Sequence, residues 1–331
     1  MIINSSPLHI GILGAAAIVP MALTNPAKSV PDVQILGIAA RDPKRAVQFA
    51  KKHHVARVHP TYAALLADHD IDAVYIPLPN SLHAQWTIKA LKAGKHVLCE
   101  KPMASNARQA EEMAKVASET GLVLSEAFAY RYHPLTARVK QIIDSGQLGK
   151  IQHLEAEFSF LLPAPNNIRF QFELSGGALM DCGCYPVSLV RYLVGAEPRV
   201  EQAEARLFHP EVDHKMCADL SFEDGRTARI SCGMLSPRLF TSVLKVEGET
   251  GSLRVFSPFQ PHVFHRLTIT KPEGTVHEKV PGENSYTLQL RAFAKAIRRG
   301  TKLNTDPADA VGNMRVIDAI YEKAGLKKRG T

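Results

Sequence analysis

The sequence contains no long hydrophobic run. None of its apolar stretches approaches the roughly 20 residues that a membrane-spanning helix needs, so we expect no membrane segment. The first seven residues also lack the charged region and the small-residue cleavage site of a secretory signal. The 331 residues are 45% hydrophobic and 22% charged, a composition typical of a globular protein of about two domains.

Cysteine is scarce and irregularly spaced. The chain has 5 cysteines, an odd number, and none of them forms a C-x-x-C motif or the spacing of zinc ligands. We therefore expect free thiols, no metal site and a reducing compartment, which favours the cytoplasm.

A concentrated basic surface is also missing from the sequence. The formal net charge is +8, but Lys and Arg are interspersed with Asp and Glu over most of the chain. The one dense basic run, Lys327-Lys328-Arg329, is interpreted as a solvated end. This distribution argues against nucleic-acid binding, although a mild positive field would attract an anionic dinucleotide.

Apolar runs alternate with helical patterns in the first part of the chain. Buried strands separated by helices predict a parallel sheet covered on both faces, hence an α/β domain over residues 1–126. The predicted strands are 8–13, 33–39, 73–76, 96–99 and 122–124, and the clearest helices are 81–92 and 105–120.

The pattern changes in the remaining residues, 127–331. Residues 154–160 alternate strictly between apolar and polar, and the Asp224-Gly225 pair between two apolar runs is a strong hairpin signal. We therefore predict an α+β domain with an antiparallel sheet. Helices are expected at residues 177–194, 286–299 and 307–324.

The first predicted strand ends in a turn of small residues, Gly11-Ile-Leu-Gly14-Ala-Ala-Ala-Ile18. Glycine permits a tight turn there, and the start of the next helix favours a pyrophosphate. The G-x-G-x-x-G pattern is degraded, because Ala16 and Val19 occupy the later glycine positions. An ordinary strand–helix corner is the alternative, but the place of the turn in the βα series favours a dinucleotide site. The candidate cofactor contacts are Gly14, Ala15, Ala16 and Ile18.

The second predicted strand ends in Ala39-Ala40-Arg41-Asp42. Enzymes that use NAD usually place an acidic residue there, where it binds the ribose 2′-hydroxyl. An arginine instead suits the 2′-phosphate of NADP(H), so we expect Arg41 to bind that phosphate. The alternatives are that Asp42 points into the site, or that it only caps the next helix.

Cys99-Glu100-Lys101-Pro102 follows a predicted buried strand, at the edge where open α/β sheets bind ligands. A lysine in this place can polarise a carbonyl or lower the pKa of a neighbouring acid. Glu100 and Lys101 are therefore a candidate acid–base pair, although Glu and Lys also adjoin frequently by chance.

Asp181 and Tyr185 stand four residues apart, so on a helix they share one face. A phenol with a pKa of about 10 needs a nearby cation, such as a lysine, to exchange a proton near neutrality. The preceding pair Gly176-Gly177 suits a crowded helix start. The alternatives are that Tyr185 packs in the core and that Asp181 acts as a cap.

Taken in order, these motifs resemble the Gfo/Idh/MocA family of oxidoreductases, named after glucose–fructose oxidoreductase, inositol dehydrogenase and a rhizopine-catabolism protein. The resemblance covers nearly the whole chain and also rests on residues 72–83, 126–134 and 313–321. It implies an N-terminal Rossmann domain and a C-terminal domain with a large, mostly antiparallel sheet. It also implies a homodimer or tetramer formed through that sheet.

The resemblance further assigns roles to individual residues. Many sugar and inositol dehydrogenases of the family have histidine where this chain has Tyr185, so the chain more closely resembles the branch of glucose–fructose oxidoreductase, dimeric dihydrodiol dehydrogenase and some xylose dehydrogenases. In that branch, which commonly uses NADP(H), a tyrosine exchanges the substrate proton. The implied residues are Lys101, Asp181 and Tyr185 for catalysis, Pro79, Asn80, His83, Glu100 and Lys101 for the cofactor, and Arg131, His133 and Arg169 for the substrate.

We therefore expect hydride transfer between NADP(H), preferred over NAD(H), and a carbinol or carbonyl carbon of a sugar, polyol or cyclic diol. Two alternatives stay open. One is a sugar–sugar oxidoreductase that retains its cofactor, and the other is a regulator that binds the dinucleotide without turnover. The presence of Lys101, Asp181 and Tyr185 argues against the regulator.

Overall fold

The structure is a computed structural model that describes residues 6–331, and these residues form two compact units. The first unit contains residues 6–104, 108–129 and 286–310, and the second contains residues 105–107, 130–285 and 311–331. The domain boundary expected after residue 126 stays a prediction. The chain leaves the first unit after residue 129 and contributes residues 286–310 to it again later.

The first unit is built on a parallel six-stranded sheet in the order β3-β2-β1-β4-β5-β6. The order reverses between β1 and β4, and ligands of open α/β sheets bind at such a switch point. The strands are β1 (Leu8–Leu13), β2 (Val33–Ala39), β3 (Arg57–Val58), β4 (Ala73–Ile76), β5 (His96–Cys99) and β6 (Leu124–Glu126). The α/β Rossmann prediction is thereby confirmed.

The second unit is built on an eight-stranded sheet in the order β14-β13-β12-β11-β7-β10-β9-β8. Its strand pairs are antiparallel except for β7 with β10, which confirms the mostly antiparallel sheet. The strands are β7 (Ile151–Leu161), β8 (Arg199–His209), β9 (Val212–Ser221), β10 (Thr227–Gly233), β11 (Leu235–Gly248), β12 (Ser252–Phe256), β13 (Arg266–Lys271) and β14 (Gly274–Glu278).

Two of the helical segments begin with a π-helical turn, Pro20–Thr24 before α1 and Leu179–Gly183 before α7. Such turns are rare and occur frequently at functional sites. Within residues 6–331, no helix has the length and hydrophobicity needed to cross a membrane. The α-helices are α1 (Asn25–Ala27), α2 (Pro43–His53), α3 (Tyr62–Leu66), α4 (Asn80–Lys92), α5 (Ala107–Thr120), α6 (Pro134–Asp144), α7 (Cys184–Val194), α8 (Ser285–Arg299) and α9 (Pro307–Lys323).

Candidate functional site

The turn after β1 lies at the switch point of the parallel sheet. Gly14 has a φ of 117°, a value that residues with a side chain rarely adopt, and a Cβ there would lie 3.0 Å from the Leu78 side chain. Its amide donates to the Ala39 carbonyl at 2.8 Å, which fixes the turn against β2. The predicted contacts Ala15, Ala16 and Ile18 follow before the π-helical turn begins. The turn therefore combines a close backbone approach with a helix start, which suits a pyrophosphate.

Two arginines, Arg41 and Arg45, follow the end of β2 and form the Arg41 cluster. The Asp42 carboxylate accepts the Lys44 amide at 2.9 Å and caps α2, so this acid is engaged as a cap. Arg41 is exposed. Burial raises the pKa of Tyr62, and the backbone amide and charge of Arg41, with the charge of Arg45, oppose that rise. These residues are therefore close together, and the cluster suits a 2′-phosphate.

Arg45 also ties this cluster to the turn after β1. Its guanidinium donates to the Ala15 carbonyl at 3.0 Å. Sequence reasoning did not assign Arg45 or Tyr62 to the site. The signal for Arg45 is its place in the first turn of α2, four residues after Arg41 in the sequence. No comparable signal marks Tyr62, which starts α3.

The loops after β4 and β5 are joined by a buried histidine. The His83 ring nitrogens lie 2.8 Å from the carbonyl oxygens of Leu78 and Pro102. Burial lowers the pKa of His83 to about 4, although these two carbonyl oxygens act in the opposite direction. His83 therefore holds both loops from within the unit, while Pro79 and Asn80, at the start of α4, are partly exposed.

Glu100 is held at the end of β5 by hydrogen bonds. It accepts the Tyr75 hydroxyl at 2.6 Å and the Lys101 amide at 3.3 Å. The pKa of Tyr286 is raised to about 12, mainly by burial; Glu100 also raises it and Lys101 lowers it, so this phenol lies near both groups. Sequence reasoning missed Tyr286, which is distant in the chain from the Glu100-Lys101 motif. The first unit thus places a carboxylate, an ammonium group and a phenol together.

The second unit brings three of the predicted site residues together. The Arg169 guanidinium forms an ion pair with Asp181, with Nε 2.8 Å from Oδ2. Asp181 raises the pKa of Arg169, and Tyr185 acts in the same direction. Asp181 is therefore an ion-pair partner rather than only a cap. Its place in the π-helical turn, just before α7, puts it on the same segment as Tyr185.

Aromatic rings hold the ring of Tyr185. Phe158, Phe259 and Tyr130 have their ring centroids 5.3, 5.5 and 5.9 Å from it. Such contacts involve the ring and contribute to packing. The phenol hydroxyl is the group of Tyr185 that can exchange a proton. A change of tyrosine to phenylalanine at this position therefore keeps the packing.

Arg131 and His133, which were predicted to contact the substrate, are buried and contact other protein groups. Arg131 is buried, with its guanidinium 4.0 Å from the centre of the Tyr192 ring and 3.2 Å from the Ser188 hydroxyl. The buried His133 caps α6, with Nδ1 accepting the Leu135 amide at 3.1 Å. Their expected contact with substrate stays a prediction, and the structure gives each of them a structural role.

The cap formed by His133 is expected to make the fold less stable in acid. Burial, followed by His265 and His262, lowers its pKa to about 4. Between that value and the ordinary pKa of about 6.5, the unfolded chain binds a proton that the native state excludes, so stability falls as the pH falls. Between pH 7 and pH 5 we expect this group to lower the free energy of unfolding by about 2 kcal/mol.

His133→Asn isolates this effect, because asparagine is a good N-cap and carries no titrating group. Urea unfolding at pH 7 and pH 5 should show a smaller loss of stability in the variant, by about 2 kcal/mol. The exposed His277→Asn is the matched control. An identical loss in His133→Asn and the unmodified protein would contradict the assignment.

Two family models match the chain. The first, described as an oxidoreductase family with an NAD-binding Rossmann fold (Gfo/Idh/MocA), matches residues 8–128. The second, the Gfo/Idh/MocA C-terminal domain, matches residues 136–254. Together they cover the Gly14 turn, Lys101, Asp181 and Tyr185.

Relatives of known activity match over nearly their full length. D-xylose 1-dehydrogenase (NADP(+)) 2 of Haloferax volcanii is 37% identical, over 95% of this chain and 96% of that protein. A dTDP-3,4-didehydro-2,6-dideoxy-alpha-D-glucose 3-reductase of Streptomyces violaceoruber is 35% identical, over 97% and 96%. The crystal structure of a 3-ketoreductase from Actinomadura kijaniata, in complex with NADP and TDP-benzene, has a TM-score of 0.90 at 31% identity, covering 96% of this chain and 98% of that one.

Proposed function

The chain belongs to the Gfo/Idh/MocA oxidoreductase family, and we propose that it transfers a hydride between NADP(H) and a CH–OH or C=O carbon of a sugar, free or nucleotide-linked, a polyol or a cyclic diol. The observation that carries this proposal is the full-length similarity to an NADP(+)-dependent xylose dehydrogenase and to a sugar-nucleotide reductase. At the coarser level, the chain is an NAD(P)-dependent sugar or sugar-nucleotide oxidoreductase. It acts on a small molecule.

The chain's own residues supply binding, orientation and proton transfer. NADP(H), when bound, supplies or accepts the hydride. In this proposal Tyr185 exchanges the proton of the substrate hydroxyl, and Lys101 favours the ionised phenol and holds the substrate oxygen. Asp181, oriented by its ion pair with Arg169, positions the substrate. The Gly14 turn binds the pyrophosphate, and His83 shapes the loops that bind the cofactor.

Arg41→Ala is expected to weaken NADP(H) binding by about 10- to 100-fold and to leave NAD(H) binding within about twofold. The reason is the loss of charge-assisted hydrogen bonds, each contributing about 1.5–3 kcal/mol, to a phosphate that only NADP(H) carries. Nicotinamide fluorescence titration with both reduced cofactors measures the two dissociation constants.

Arg108→Ala is the matched control for this experiment. Arg108 lies exposed on α5 in an ion pair with Glu112, so its loss changes the net charge equally. It should leave both constants unchanged. If Arg41→Ala bound NADP(H) and NAD(H) like the unmodified protein, Arg41 would have no part in cofactor selection.

A cytoplasmic location and a homo-oligomer formed through the second sheet are further parts of the proposal. Large apolar side chains are exposed on several of its strands, which supports association. These side chains are Leu161, Leu207, Phe240, Phe256 and Val276.

Turnover with a panel of aldoses, sugar nucleotides, inositols and trans-diols, followed by the absorbance of the reduced nicotinamide, tests the reaction. Protein that purifies with NADP(H) already bound would favour the sugar–sugar oxidoreductase that retains its cofactor.

A further inference from the structure

The C-terminal tail contains a fully buried ion pair. Arg329 and Asp213 have no exposed side-chain surface, and Nη2 of the arginine lies 2.9 Å from Oδ1 of the aspartate. The guanidinium also donates to the carbonyls of Gly176 and Lys327 at 2.7 and 2.9 Å. The interpretation of this tail as wholly solvated is therefore wrong for Arg329. A charge is buried only where such partners compensate its lost hydration.

The Asp213 carboxylate joins the tail to the segment that carries Asp181 and Tyr185. Its Oδ2 accepts the amide of Leu179 at 2.7 Å, and its Oδ1 accepts the Tyr321 hydroxyl at 3.0 Å. Leu179 is the first residue of the π-helical turn. A carboxylate at this position satisfies an amide that the helix itself leaves without a partner and interacts favourably with the helix dipole.

The paired glycines fit the same arrangement. Gly177 has a φ of 129°, and a Cβ on it would collide with Asp213 and lie 3.0 Å from Nη2 of Arg329. A Cβ on Gly176 would lie 2.5 Å from the Arg169 carbonyl. The Gly177 amide donates to that same carbonyl at 2.8 Å. The glycines therefore let the backbone pack between the buried pair and Arg169, the ion-pair partner of Asp181.

We infer that Arg329, acting through Asp213, is a positioning residue for the reaction, because it fixes the start of the helical segment that carries Asp181 and Tyr185. This inference rests on the proposed function for the roles of those two residues. Arg329 acts through the Gly176 carbonyl and the Asp213 carboxylate.

Backbone hydrogen exchange of residues 177–185 tests the placement without any substrate. In Arg329→Met we expect exchange in this segment to accelerate at least tenfold more than exchange in β12 of the same unit, which reports the global loss of stability. Arg329→Lys keeps the charge but not the planar fork, so we expect an intermediate rate. Lys328→Met is the matched control, because Lys328 is partly exposed and pairs with Glu322.

Kinetics of the same full-length variants test the consequence for catalysis. We expect Arg329→Met to lower kcat at least tenfold and to shift the pH profile of kcat, with NADP(H) affinity within twofold. A merely structural anchor would leave the pH profile unchanged. If Arg329→Met does not fold, Arg329→Lys and Asp213→Asn undergo the same measurements.

Unchanged exchange in residues 177–185 of a folded variant would overturn the inference, whatever the substrate is. Faster exchange with unchanged kcat, KM and pH profile would also overturn it, provided that Tyr185→Phe is inactive. Full turnover of Tyr185→Phe would instead overturn the proposed function and the catalytic part of the inference, and exchange alone would then decide whether the tail fixes the segment.

Discussion

Tyr185→Phe is expected to lower kcat by about 10²- to 10⁴-fold, the range that general acid–base groups contribute. The change removes the hydroxyl that exchanges the substrate proton and keeps the ring that Phe158, Phe259 and Tyr130 contact. The affinity for NADP(H) should stay within about twofold, since the Gly14 turn and the Arg41 cluster belong to the first unit. Steady-state kinetics and a fluorescence titration measure the two quantities.

Tyr192→Phe is the matched control for this variant. Tyr192 lies two helical turns further along α7, and its ring faces the Arg131 guanidinium, a contact that phenylalanine retains. Its kcat should stay close to that of the unmodified protein. Full activity in Tyr185→Phe would remove Tyr185 from the mechanism, and equal losses in both variants would indicate damage to α7 rather than loss of a proton donor.

Arg329→Met is expected to lower the free energy of unfolding by about 3–5 kcal/mol, because it leaves the buried Asp213 charge without its partner. Burial raises the pKa of Asp213, and Arg329 opposes that rise. Without the arginine the pKa rises further, so the native variant takes up a proton that the unfolded chain releases. The difference in the free energy of unfolding between Arg329→Met and the unmodified protein should therefore be smaller at pH 5 and larger at pH 8.

Urea unfolding followed by circular dichroism measures this effect. Fluorescence of Trp86, the only tryptophan in the sequence, reports on the first unit in the same samples. Adding Asp213→Asn to Arg329→Met should recover part of the loss, since the amide carries no charge to strand in the interior. An unfolding curve of Arg329→Met that matches the unmodified protein at every pH would show that the pair adds no stability.

The parallel sheet could be predicted closely because its strands are buried. β1, β2, β4 and β5 have the predicted bounds, since continuous apolar runs mark strands covered on both faces. β6 begins two residues later than predicted, and β3 was missed because both of its residues are exposed.

The second sheet was predictable where a strand alternates strictly, as in residues 154–160 of β7, or where a turn motif joins two strands. The β9–β10 hairpin followed from its Asp-Gly turn, whereas β8 lies at the sheet edge and exposes residues along most of its length. Its residues 203–207 alternate between apolar and polar, but none of the side chains of β8 is buried, so the pattern gives only a weak signal. The π-helical start of the helix predicted at 177–194 is likewise invisible to a periodicity argument.

The site shows the same limit. Local motifs predict roles for Lys101, Asp181 and Tyr185, but partners distant in sequence could not be inferred from them. Arg329 is the clearest case: a basic run at the chain end indicates a solvated tail, and only the fold reveals the buried carboxylate that it binds.

The most direct test of the proposed function is the rate of NADP⁺ reduction and of NAD⁺ reduction by purified protein with the panel of sugars, sugar nucleotides, inositols and diols. We predict NADP⁺-dependent turnover with one substrate class, weaker turnover with NAD⁺, and loss of both in Tyr185→Phe. Absence of turnover with every compound and either cofactor, in protein that still binds NADP(H) tightly, would contradict the proposed function and favour a retained-cofactor enzyme or a regulator.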